Sequence, residues 1–172
     1  LEMMGLPGVE VMLPDRFIDG YGMSERVVER AKKDGVSLVI SVDCGSNNAK
    51  VIDELAKEKI DVIVTDHHEI TDKIPEKAVA VVNAKRPDFR EKMTEETAGL
   101  EDLAGAGVAF MVAKALSDIG EISKGQEKWL LDLAAIGTIC DSMELTGENR
   151  IICHFGLLVL EKTRRPGLAE LK

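Results

Sequence analysis

Val62-Ile63-Val64-Thr65-Asp66-His67-His68-Glu69 decides the reading of this 172-residue chain. Val62 to Thr65 are β-branched or apolar with no helical period, the pattern of a buried strand. The strand ends abruptly in a carboxylate, two adjacent imidazoles and a second carboxylate. Two of the three histidines of the chain stand side by side there. Polar groups crowded at a strand tip must be paired or solvated together. Parallel α/β sheets put their ligands at that carboxyl edge. Oxygen and imidazole donors suit Mn, Fe, Zn or Mg better than a thiolate metal site would. An exposed polar loop is the plain alternative.

Upstream, Val36 to Val42 is a continuous apolar run, typical of a strand buried on both faces. It finishes in Asp43-Cys44-Gly45. A helix over roughly 47–59 follows, with Val51, Ile52 and Leu55 turned inward. Two successive βα units therefore each end their strand in an aspartate, and a parallel arrangement brings Asp43 and Asp66 to one edge. A helix cap is the alternative role for Asp43. Val9 to Leu13 reads as a further short strand. Pro14-Asp15-Arg16 comes next and leads to the turn Gly20-Tyr21-Gly22. Arg16 is either a phosphate contact or a solvated loop residue. Ser24 is an N-cap for a helix with the stripe Val27, Val28, Ala31, ended by Gly35.

Downstream, Ala78 to Val82 is another strand, ending at Asn83. Lys85-Arg86-Pro87-Asp88 opens a loop of mixed charge that runs to about Asp102. Lys85 and Arg86 can face a polyanion or solvent. Leu103 to Phe110 leads into a helix ending near Ile119. Its Gly105 and Gly107 serve either close helix packing or backbone N–H contacts to a phosphate. The third glycine and the preceding strand of a dinucleotide site are missing. Gln126 to Ile136 is a helix leading to Gly137-Thr138-Ile139-Cys140-Asp141, which sets a third aspartate after a small apolar stretch. A last long helix starts at Glu148-Asn149-Arg150 and carries His154, read as structural. Arg165-Pro166-Gly167 begins one more.

Composition narrows the function classes. The chain is 45% hydrophobic and 31% charged, as a globular protein is. Its 22 basic and 31 acidic residues leave a net charge of -9, the wrong sign for a protein that coats nucleic acid by charge alone. An enzyme whose acidic site holds divalent cations remains compatible, because the ions reverse the local field. Cys44, Cys140 and Cys153 are odd in number and form no CxxC, which argues against a disulfide framework and fits a reducing, cytoplasmic compartment. Cys44 and Cys140 read as packing residues. No apolar run is long enough for a membrane span, and no leader opens the chain. Because Leu1 stands first, the chain is expected to be a piece of a larger protein.

Taken together, these segments resemble the DHH phosphoesterase family, and within it the RecJ-type single-strand-specific 5′-to-3′ exonucleases. The resemblance rests on Pro14-Asp15-Arg16 with Gly20-Tyr21-Gly22-Met23-Ser24, on Val42-Asp43-Cys44-Gly45, and on Val64-Thr65-Asp66-His67-His68-Glu69. It continues through Val82-Asn83-Ala84-Lys85-Arg86-Pro87-Asp88, Ala104-Gly105-Ala106-Gly107-Val108-Ala109-Phe110, Gly137-Thr138-Ile139-Cys140-Asp141 and Glu148-Asn149-Arg150. These motifs occur in family order over nearly the whole chain.

The resemblance implies an α/β domain with a mostly parallel sheet flanked by helices over 1–100. A helical remainder of the same catalytic core follows over 101–172. It implies a two-metal phosphodiesterase, usually Mn2+-dependent with Mg2+ possible, that removes nucleotides from single-stranded DNA in repair or recombination. By the same resemblance, Asp43, Asp66, His67 and Asp141 hold metal, Asp66, His67 and His68 form the catalytic group, and His68 contacts the scissile phosphate. Arg16, Lys85, Arg86, Gly105 and Gly107 are further candidates for the phosphate. Two departures stand out. The family's first Asp-x-Asp motif and its C-terminal substrate-binding domain have no counterpart here, so this chain alone is expected to bind metal weakly. Two alternatives stay open. One is another DHH phosphoesterase acting on short oligonucleotides, cyclic dinucleotides or polyphosphate. The other is a non-catalytic nucleic-acid-binding module.

Overall fold

A computed structural model describes residues 1–71 and 73–171. The backbone divides into two compact units, Glu10–Glu101 and a second made of Leu1–Val9 with Asp102–Lys172.

The first unit is built on a three-stranded parallel sheet in the order β1-β2-β3, with β1 at Leu38–Val42, β2 at Asp61–Thr65 and β3 at Ala80–Val82. Helix α1 (Glu25–Asp34) precedes β1, and α2 (Ala49–Lys57) joins β1 to β2. Val62 and Val64 of β2 pack with Ile52 and Leu55 of α2 and Ala31 of α1 into one buried cluster. Each such side chain contributes about 1.5–3 kcal/mol on leaving water, so the α2 stripe against β2 anchors the unit. Register decides where the strand ends stand. Val42 pairs with Thr65 and Thr65 with Val82. The ladder runs one residue further: the Asp43 N–H donates to the Thr65 carbonyl (2.9 Å) and the Asp66 N–H to the Val82 carbonyl (3.0 Å). Asp43, Asp66 and Asn83 are thereby set abreast along one carboxyl edge.

Three expectations need correction, and a fourth, the Ser24 cap, holds in position only. Val9–Leu13 forms no strand; Val11 and Leu13 are 84% and 83% exposed. An extended segment without a ladder partner has nothing to hold it as a strand. Strand β1 is not buried on both faces, since Leu38 and Val42 are 43% and 53% exposed. It lies at the edge of the sheet order. Ser24 occupies the N-cap position of α1 but makes no side-chain cap bond; its hydroxyl donates to Asp19 Oδ1 at 2.9 Å instead. The expected loop after β3 contains a short helix, α3 (Pro87–Arg90), introduced by Pro87 at its first turn.

The second unit is helical: α4 (Gly105–Asp118), α5 (Leu131–Cys140), α6 (Gly147–Leu160) and α7 (Pro166–Glu170), with a 3-10 turn at Gln126–Leu130 leading into α5. Small residues let these helices approach closely. A Cβ at Gly156 would stand 2.4 Å from both the Ala135 Cβ and the Leu131 carbonyl oxygen, and one at Gly137 would stand 2.4 Å from the Ala106 Cβ. The small apolar stretch before Asp141 is thus the last turn of α5. Buried Asp132 accepts from the Thr163 hydroxyl (2.9 Å) and Arg165 Nε (3.2 Å), which ties the approach to α7 back onto α5.

Candidate metal and phosphate site

Asp66 sits at the centre of the carboxyl edge and is 1% exposed. Its Oδ1 accepts from the His67 N–H (2.8 Å), the His68 N–H (3.2 Å) and His68 Nδ1 (2.7 Å). Its Oδ2 accepts from the Ser46 N–H (2.9 Å). Burial pushes the Asp66 carboxyl pKa up, but hydrogen bonds from His68 and Ser46 outweigh it and hold the group below the usual carboxylate range. Asp66 therefore remains an anion whose oxygens are taken up inside the protein. The His68 ring donates through Nδ1, which fixes its tautomer and leaves Nε2 as the basic nitrogen.

Asn83, at the end of β3, completes this support. Its side-chain amide donates to the Ser46 hydroxyl (2.8 Å) and the His68 carbonyl (2.9 Å), and its oxygen accepts from the Lys85 N–H (2.9 Å). The neighbouring asparagines at the start of α2 clamp two loops. Asn48 pairs with the Met23 backbone, accepting from its N–H (3.3 Å) and donating to its carbonyl (3.2 Å). Asn47 donates to the Glu69 carbonyl (2.8 Å) and accepts from the Thr71 N–H (2.9 Å).

In front of Asp66 lie Asp43, His67 and His68. A carboxylate oxygen of Asp43 and one ring nitrogen from each histidine all fall within 4.8 Å of one another. His67 Nε2 is 3.1 Å from Asp43 Oδ1, and the two imidazole centroids are 4.4 Å apart. Donors bound to one ion at ~2.1 Å stand up to ~4.2 Å apart, so small rotamer changes suffice to converge them. A carboxylate with two imidazoles suits Mn, Fe or Zn. Asp43 holds a left-handed backbone, φ 62°, which costs an L-residue about 1–2 kcal/mol and is tolerated best by Asp and Asn. Gly45 (φ 115°) makes the turn possible, because a Cβ there would stand 2.5 Å from Ser41 Oγ and 3.0 Å from Val64 Cγ1.

Tyr21 reaches the same place from the Gly-Tyr-Gly turn. Its hydroxyl donates to the Asp43 carbonyl at 2.7 Å and lies 2.9 and 3.0 Å from the two ring nitrogens of His68.

The expected site residues fare differently. Asp43, His67 and His68 form a cluster that could hold a metal ion. Asp66 stands behind them as the hydrogen-bond acceptor for His67 and His68. Asp141 caps α5 in the second unit and is exposed. Gly105 and Gly107 are buried in that unit too, and a Cβ at Gly107 would meet Leu103 and Ile152 at 3.2 and 3.7 Å, the packing role. Arg16 is exposed on the loop. Arg86 is committed inward: it forks onto Asp88 (2.9 and 2.7 Å) and donates to the Val81 carbonyl (2.8 Å). Lys85 stands 3.9 Å from Glu69, which also takes Arg90 at 2.9 Å. Cys44 is no nucleophile, since burial first and then the Asp66 and Asp43 charges push its thiol up to about 11. All three cysteines are free. Tyr21, Ser46 and Asn83 carry roles that the sequence reading did not assign. The available signal was the place of Ser46 and Asn83 after strand ends and of Tyr21 in the Gly-Tyr-Gly turn.

The model described as the DHH family, N-terminal domain, matches residues 3–138. The chain is 44% identical, over 95% of its length, to the single-stranded-DNA-specific exonuclease RecJ of Bacillus subtilis, of which it covers 19%. It superposes on a crystal structure of exonuclease RecJ bound to manganese with a TM-score of 0.73 and 34% identity, covering 91% of this chain and 37% of that one. A second, RecJ from Thermus thermophilus in complex with Mn2+, gives 0.68 and 35%, covering 86% and 20%. The chain thus spans only a fifth to about two fifths of the length of these relatives.

Proposed function

This chain belongs to the DHH family, and from that premise we propose that it supplies catalytic groups for metal-dependent hydrolysis of phosphodiester bonds in single-stranded DNA, proceeding 5′ to 3′. The observation that carries the reading is the convergence of Asp43, His67 and His68 at the sheet edge with Asp66 fixed behind them. The names of the relatives support the substrate class, and the manganese in the two solved structures supports Mn2+ as the metal.

In this reading Asp43 and His67 hold metal. Asp66 orients rather than ligates, because its oxygens already accept hydrogen bonds. His68, with Nδ1 on Asp66, presents Nε2 to a cation or, protonated there, to a phosphate oxygen. Arg16 and Lys85 are the candidates to meet further phosphates. When bound, divalent ions at such a site add Lewis acidity at the phosphate and lower the pKa of water. The net charge of -9 then sets the division of labour: local cations, not the overall field, receive the polyanion. Free cysteines fit repair or recombination in a reducing cytoplasm. No helix of the described residues is long and apolar enough to cross a membrane.

Calorimetric titration with Mn2+ tests the site. Binding by the chain, lost in Asp43→Ala/His67→Ala, is expected; equal heats in both proteins refute it. Hydrolysis of long single strands over dinucleotides and cyclic dinucleotides is the expected substrate order. The reverse order points instead to a phosphoesterase of short substrates.

A further inference from the structure

We propose that the Tyr21 hydroxyl is a positioning group for the metal ligands, tying the Asp43 main chain to the His68 imidazole and so fixing their separation. This role rests on Asp43, His67 and His68 being the metal site. The hydroxyl stands between two groups of the site. It donates to the Asp43 carbonyl at 2.7 Å and lies against the His68 ring, 2.9 and 3.0 Å from its two nitrogens. One oxygen thus holds the Asp43 main chain and the His68 imidazole at a fixed spacing.

Tyr21 is placed there by built features rather than by chance exposure. Gly20 and Gly22 flank it at φ 73° and 87°. A Cβ on Gly22 would lie 2.8 Å from Asn48 Oδ1, so only glycine lets the turn reach the asparagine. Asn48 then fixes Met23 through both of its backbone groups. The Tyr21 ring meets His68 edge to face, with centroids 5.2 Å apart. The residue it bonds, Asp43, has a left-handed backbone. An unsupported loop of that kind relaxes easily, and a hydrogen bond to its carbonyl holds the carboxylate toward His67.

Tyr21→Phe deletes the hydroxyl and keeps the ring. Loss of an outer partner of a metal ligand typically costs 10–100-fold in affinity. We expect Mn2+ affinity to fall about 10-fold with an unchanged melting midpoint, since the side chain is largely exposed. In the metal-free protein, the His68 Cε1–H resonance should be one narrow line that broadens or shifts in Tyr21→Phe. Asn48→Ala, which releases Met23, should move the same two readouts in the same direction. Binding that depends on Asp43 but ignores Tyr21→Phe, with an unmoved His68 resonance, overturns the positioning role alone. Failure of Asp43→Ala/His67→Ala to change Mn2+ binding overturns the site reading and this role with it.

Discussion

Replacing Asp66 by Asn separates support from ligation. The carboxylate accepts three hydrogen bonds on Oδ1 and one on Oδ2, almost without exposure. An amide can keep its oxygen on the three-donor side only by turning its NH2 against the Ser46 N–H. One charge-assisted bond is lost, at about 1.5–3 kcal/mol, and one buried donor is orphaned, at about 1–3 kcal/mol. The total is about 2.5–6 kcal/mol, a large part of a typical folding free energy of about 5–15 kcal/mol. Asp43→Asn is the contrast. Its side chain is 54% exposed, so it should move stability by no more than about 0.5 kcal/mol while removing a proposed metal ligand. Urea unfolding at constant slope reads both. The pH dependence follows from the Asp66 shift. Its folded pKa lies below the ordinary value of about 3.9. The stabilisation is therefore present above that value and is lost as pH falls through the folded one. The difference between wild type and Asp66→Asn should hold from neutral pH to about 5 and shrink below about 4. A penalty under about 1 kcal/mol, or one equal to that of Asp43→Asn, refutes the reasoning.

Gly45→Ala should destabilise by about 2–5 kcal/mol, from left-handed strain and overpacking together, because the new Cβ meets Ser41 Oγ at 2.5 Å; a melting curve matching wild type contradicts this. Gly156→Ala forces α5 and α6 apart at the Leu131 carbonyl and should cost about 2–4 kcal/mol, read as lost helical ellipticity at lower urea. Cys44, with its thiol at about 11, should alkylate at pH 8 roughly 100-fold more slowly than an ordinary thiol. Exposed Cys140 should be modified first, and peptide mapping distinguishes the two.

Much of the fold was legible because β-branched runs at 38–42 and 61–65 and the α2 stripe are local patterns. The setting of Asp43 and Asp66 at one sheet edge was also legible, since parallel register puts successive strand ends together. Other features depend on tertiary position. Nothing in Val36 to Val42 shows that β1 lies at a sheet edge, and nothing in Val9 to Leu13 shows that a ladder partner is missing. Whether Asp66 binds or orients turns on how many donors converge on it, and one of these, Ser46, lies twenty residues away. Tyr21 was visible only as part of a turn. Where its hydroxyl lands depends on Asn48, an amide that no hydrophobic pattern marks.

The two asparagines at the head of α2 have a consequence for motion. Asn48 grips the segment carrying Tyr21, and Asn47 grips the segment after His68. One short stretch of chain thus fastens both flanks of the site, and neither loop can open without straining a bond at the same helix end. Local opening should then be concerted. Amide hydrogens at Met23 and Thr71 should exchange with a common free energy, and Asn48→Ala should speed exchange at Thr71 as well as at Met23, giving the site one breathing mode rather than two.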